Sequence, residues 1–202
     1  MKHPTSRLLH AYWDRLRGER AAPERGEIEP GAIRNLLADS LILAVDAPRA
    51  HASVRLAGTR VCALFGRELK GFGFSGIWGE PTADPWRLVE TVALDTVGIV
   101  AGLRGENALG DGVDLELLLL PLRHHGQPHV RVLGALSPQS IPGWLGLRPL
   151  TRLDTVSMRV LGPIGDRVPD GAEAILRDLP EPANDTFPQR RGHLVVHPGG
   201  RG

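Results

Sequence analysis

The amino-acid sequence predicts an α+β fold: a five-stranded antiparallel sheet in the chain order β-β-helices-β-β-β, with an amphipathic N-terminal helix and an extended C-terminal tail. Three observations predict it. Two aliphatic runs, 40–46 and 52–58, are separated by one short connection. The stretch 59–97 breaks into glycine-punctuated short segments and one longer helical pattern. Three strand-like runs then follow between 97 and 137.

The first helix is expected over 5–18. Leu8, Leu9, Tyr12, Trp13 and Leu16 recur at the i, i+4, i+8 spacing, and Gly18 and Pro23 stop the run. Such a stripe must dock on something, either its own domain or a second copy or partner. "GEIEPGAIRNLLAD" reads as a shorter helix, with Pro30 in its first turn and Ile33, Leu36 and Leu37 on its apolar face. "SLILAVD" and "ASVRLAG" read as a hairpin joined by "APRAH".

The next stretch, "VRLAGTRVCALFGRELKG", packs a strand end, a turn and a helical turn into a few residues with almost no catalytic side chain. "FGFSGIWGEP" is aromatic but glycine-rich, so irregular turns are expected. Asp84-Pro85 signals a helix start, with the helix running to about 97 and burying Trp86, Val89 and Ala93. Of the three strands that follow, "GVDLELLLLPLRH" places Val113, Leu115, Leu117 and Leu119 on one face and Asp114 and Glu116 on the other.

Composition narrows the function classes. Lys plus Arg is 24 against 23 for Asp plus Glu, a net charge of +1, which argues against nucleic acid as the main partner. One cysteine, Cys62, excludes an intramolecular disulfide and fits a reducing compartment. The N-terminus is too charged for a secretory signal, and no apolar run reaches the roughly 20 residues of a membrane span. A cytoplasmic protein is expected.

Catalytic and metal motifs are weak. His124, His125 and His129 lie together in "RHHGQPH", but Gly126 and Pro128 exclude the helix that aligns a His pair, so an exposed turn explains them better. "GFSGI" lacks the pattern of a nucleophile elbow. No catalytic residue, metal site or cofactor is assigned, and the protein reads as non-enzymatic. What remains is an apolar and aromatic set, Phe65, Phe72, Phe74, Trp78 and Trp86, that either fills a core or lines a cavity.

After residue 137 the composition shifts. Nine prolines fall between Pro138 and Pro198. Val156, Met158 and Val160 alternate like a further strand, "GAEAILRDLP" reads as a helical turn or two, and "GHLVVHPGG" is apolar enough to pair or dock.

Three stretches carry a resemblance: "YWDRLRGERAAPERGEIEP", "VRLAGTRVCALFGRELKGFGFSGIW" and "GHLVVHPGG". In these the chain resembles the PAS domain superfamily, and more closely a family of small, stand-alone PAS proteins found mainly in alphaproteobacteria. The resemblance implies a PAS-like sensor domain over 40–137, an N-terminal helical extension over 1–39 and a C-terminal extension over 138–202. It implies that the second strand turns directly into a short helix that walls a pocket, with Gly58, Gly66 and Gly71 supplying the turns. The expected lining is Leu56, Cys62, Phe65, Phe74, Trp78, Trp86 and Val89. Two departures bear on cofactors. Cys62 sits in an apolar "RVCALFG" setting unlike that of flavin-binding relatives, and the helix over 84–97 has no histidine for haem.

The function implied is a regulatory protein of bacterial signal transduction, sensing a small apolar ligand or a cue, or acting through protein contact. Its partners would be a second copy, as a homodimer, or an unidentified signalling protein. Leu8, Leu9, Tyr12, Trp13 and Leu16 form the expected interface. The alternative is a small-molecule-binding enzyme or carrier with an apolar cavity.

Overall fold

The computed structural model describes residues 1–80, 84–125, 127–161, 189–191 and 194–196. The helical turns expected in "GAEAILRDLP" lie outside the described residues.

Helix α1 spans Pro4–Arg17. The His3 side chain caps it by accepting the Thr5 N–H at 3.2 Å, and Pro4 suits the first turn. The chain then runs through two 3-10 helices, Arg25–Glu27 and Pro30–Asp39, the second interrupted at Ile33. The helix expected here is thus two tight 3-10 pieces. They bury Ile33 and Leu36 and deliver the chain into a strand at Ser40, whose hydroxyl donates to the Leu36 carbonyl at 2.7 Å.

Strands β1 (Ser40–Asp46) and β2 (His51–Ala57) form the predicted hairpin. Helix α2 (Thr59–Leu64) and a 3-10 turn at Ser75–Ile77 follow. Helix α3 (Trp86–Asp95) starts as expected, with Asp84 accepting the Trp86 N–H at 3.0 Å. The three strands β3 (Gly98–Asn107), β4 (Gly112–His124) and β5 (Gln127–Pro138) then run antiparallel.

The class is α+β, but the sheet has six strands, in the order β2-β1-β5-β4-β3-β6. The sixth, β6 (Leu150–Leu161), comes from beyond residue 137 and pairs antiparallel with β3 from Gly98↔Leu161 to Asn107↔Leu150. The alternation at Val156, Met158 and Val160 marked this strand, although its seat in the main sheet rests on pairing that alternation does not encode. Two short strands, β7 (Gln189–Arg191) and β8 (Leu194–Val196), pair with each other, and β8 contains the apolar core of "GHLVVHPGG".

Both faces of the sheet's centre are covered, while Val156, Met158 and Val160 of the edge strand β6 stay exposed. Leu115, Leu117 and Leu119 of β4 belong to a core shared with α2, α3 and the 75–78 turn. Leu118, Leu120 and Leu122 belong to a second core shared with α1 and the 3-10 segment. That explains the unbroken "LELLLLPL": a strand buried on both faces has no solvent side to alternate with.

Candidate functional site

Two features of the sheet could carry function: the interior beneath α2 and α3, and the outer face beneath α1.

The interior is built by the sharp passage from β2 into α2. Gly58 sits at this corner, its N–H donating to the Ser40 carbonyl at 2.8 Å. A Cβ here would fall on the carbonyl oxygens of Leu37 and Ala38, so the glycine serves close backbone approach rather than a special turn conformation. Gly66 and Gly71 do adopt positive φ, as turn residues should. Residues 71–74 fold back along β2, with the Val54 N–H donating to Phe72 O at 2.9 Å and the Phe74 N–H to Ala52 O at 2.7 Å. This seats Phe74 edge-on against Trp78, ring centroids 5.7 Å apart. The Trp78 carbonyl in turn accepts the Leu153 N–H of β6 at 3.1 Å.

Of the expected lining, Phe65, Phe74 and Trp78 surround an interior cavity with Val54, Val61, Leu103 and Leu153. Its volume is about 20 Å³. That is room for about one water, far below the roughly 300 Å³ of a small-molecule pocket, and the walls are apolar. Phe65, Phe74, Trp78 and Trp86 therefore fill this core.

Five expected positions need correction. Leu56 is 42% exposed and faces away from the interior. The cause is a β-bulge: Ile42 pairs with Leu56 and Leu43 with Val54, so Arg55 is an extra residue and the facing pattern slips by one. Val54 and Ala57 reach the cavity instead. Phe72 is 43% exposed, with the Arg67 guanidinium 4.6 Å from its ring centroid. Cys62 is half-buried beside the core and does not line the cavity. Its Sγ lies 3.7 Å from Glu68 Oε1, and burial, with the Glu68 charge adding to it, pushes the thiol pKa up. Trp86 and Val89 are buried in the same core but away from the cavity.

The outer face corrects the interface expectation. Leu8, Leu9, Tyr12 and Trp13 are buried against the chain's own sheet, with Leu16 partly covered beside them. Trp13 Nε1 donates to the Pro121 carbonyl of β4 at 2.8 Å. The Tyr12 hydroxyl accepts the Glu29 N–H at 2.9 Å. The stripe is a core element of its own domain and offers no free surface to a second copy.

A buried polar cluster pins the start of this helix. Glu116, expected at a solvent face or rim, is only 4% exposed. Its carboxylate accepts the backbone N–H of Lys2 at 2.7 Å and of His3 at 3.0 Å. Burial alone would raise its pKa. The N–H groups of Lys2 and His3 and the terminal ammonium are among the groups that outweigh that and hold it below the usual carboxylate range. Beside it, buried Asp39 receives both Nε and Nη2 of Arg60, at 2.9 and 2.7 Å. Burial lowers the His3 imidazole despite the nearby charges of Asp39 and Glu116. Asp114, two residues from Glu116, is exposed and pairs with Arg104 at 2.9 Å.

The His124 and His125 rings lie 4.1 Å apart between centroids and tilted by 47° at the end of β4, on the rim of an open groove on the outer face. The side chain of His129 lies outside the described residues. Among the described residues, no three His, Cys, Asp or Glu side chains converge as metal ligands would, and no helix is long and apolar enough to cross a membrane.

Comparison with known proteins bears on this arrangement. A family model of the PAS domain matches residues 1–137. A solved structure, "Flavin Analogue Sheds Light on Light-Oxygen-Voltage Domain Mechanism", aligns at 20% identity and a TM-score of 0.42. That alignment covers 55% of this chain and 83% of the other. Comparison with curated proteins gave no match.

Proposed function

The chain belongs to the PAS domain family whose model spans its α1-to-β5 region, and from that premise we propose that it is a non-enzymatic regulatory protein of bacterial signal transduction whose output is contact with another protein. The family match carries the reading, and the packing supports it. An interior of about 20 Å³ leaves a bound small molecule no room without rearrangement, so the reading favours regulation through a surface over a ligand-loaded core. The proposed partners are a second copy of the chain or a separate signalling protein, met in the cytoplasm. Because the apolar stripe of α1 is sealed on its own sheet, that contact uses other surfaces or follows release of α1.

Native mass spectrometry of freshly purified protein, compared with the denatured mass, tests this. A dimer or a co-purifying protein at unmodified subunit mass is the expected result. A small molecule held in every subunit and lost on denaturation would overturn the packed-core part of the reading. Turnover of a substrate by the pure protein would overturn the rest.

A further inference from the structure

We propose that an open groove on the outer face of the sheet, at its β2-β1-β5 end, binds a small organic polyanion: two or more phosphate or carboxylate groups carried on an apolar body. The groove encloses about 650 Å³, within the size range of small-molecule sites. It lies on the opposite side of the sheet from the packed interior, so this proposal stands apart from the regulatory reading.

Charge is the first argument. Arg25, Arg55, Lys70 and Arg131 reach the groove from four separate segments, with His124 and His125 on its rim. The carboxylate among them, Glu24, lies 3.5 Å from Arg123 Nε. In a chain of net charge +1 this is a local excess of cations. The cations also strain one another: burial and then the charges of Arg55 and Arg25 lower the Arg131 pKa. Burial, His125, Arg131 and Arg25 lower that of His124, against a smaller opposing effect of Glu24. A bound anion would relieve both.

The backbone is the second argument. The bulge in β2 turns Arg55 and Leu56 outward together, where a regular strand would send one of them to the core. It thereby sets a guanidinium beside an exposed leucine. Leu56 and Ile42 give the groove an apolar wall, a use for a large side chain that is otherwise stranded among cations. Convergent Arg and Lys select phosphate or carboxylate, and the apolar wall selects what carries it. A chain of net charge +1 is a poor match for an extended polyanion, so the ligand is small rather than a nucleic acid.

Titration calorimetry on the full chain tests the proposal. The probes are adenosine diphosphate, benzene-1,3,5-tricarboxylate, pyrophosphate and adenosine. Saturable one-to-one binding is expected for at least one of the first two, tighter than for pyrophosphate, with none for adenosine. Which of the two binds more tightly separates phosphate from carboxylate. Affinity should fall with added salt and rise on acidification as His124 takes up a proton. Arg55→Gln and Lys70→Gln, both at exposed positions, should each weaken binding about tenfold while leaving the urea unfolding transition in place. The proposal is overturned if neither diphosphate nor tricarboxylate binds, or if both variants bind as the parent does. It is equally overturned if a single-stranded oligonucleotide binds and pyrophosphate cannot displace it.

Discussion

The Glu116 carboxylate on β4 accepts the backbone N–H of His3 at 3.0 Å, across 113 residues of sequence. With the Lys2 N–H on its other oxygen, it ties the first turn of α1 to the centre of the sheet. Charge-assisted hydrogen bonds at a buried carboxylate are worth more than neutral ones. Glu116→Ala is therefore expected to lower stability by about 2–3 kcal/mol, read from the urea midpoint. It should also accelerate hydrogen exchange in α1 before it does so in β3 to β5. Unchanged exchange in α1 would show that the tie is incidental.

The same cluster sets a dependence on pH. His3 and Glu116 both have folded pKa values below their ordinary ones. The unfolded chain then binds more protons, so stability rises with pH. The contribution from His3 is complete above about pH 6.5 and declines below it. That of Glu116 is lost further down, as pH falls through its depressed folded value. Thermal midpoints measured down the pH scale should decline in these two stages. Glu116→Gln should shrink the lower one, to which the surface carboxylates Glu27, Asp46, Glu68 and Asp111, also held low by their hydrogen bonds, contribute as well.

Leu9 and Trp13 are 0% and 5% exposed. Trp13→Ala is expected to cost about 3–5 kcal/mol, and Leu9→Asp to prevent folding of the outer core. Were these residues a dimer contact, the variants would stay folded and become monomeric. Circular dichroism alongside sedimentation separates the two outcomes.

Gly58→Ala would place a methyl group against two carbonyl oxygens at the β2-α2 corner. A loss of about 3 kcal/mol is expected, despite an ordinary backbone φ of −69°. A substitution without effect would mean that this corner yields easily.

Cys62 should react slowly with alkylating reagents, because burial and the Glu68 carboxylate disfavour its thiolate. Glu68→Gln is expected to raise the rate a few-fold at constant pH. A fast parent rate would place the thiol in a different setting.

Much of the fold was legible because it is written in periods. Aliphatic runs and alternating residues located β1 to β5, and the Asp84-Pro85 pair located the start of α3. Residues defined by tertiary context were not legible. Asp114 and Glu116 look alike in sequence, two apart on one face, yet one meets Arg104 at the surface and the other is roofed by the chain's own start. The bulge that turns Leu56 outward leaves no local mark, since it exists only relative to β1. The cations of the outer groove come from segments far apart in sequence. For the α1 stripe, the pattern showed that it must be buried but not by what.

The sheet continues to residue 161, although the family match ends at 137. The stretch that the family model matches and the unit that folds therefore differ. A truncation drawn at the family boundary would strip β6 from β3, baring a ten-residue edge and opening the wall that Leu153 contributes to the interior. Exposed edges of that length recruit other chains, so such a fragment would report on aggregation rather than on the intact domain.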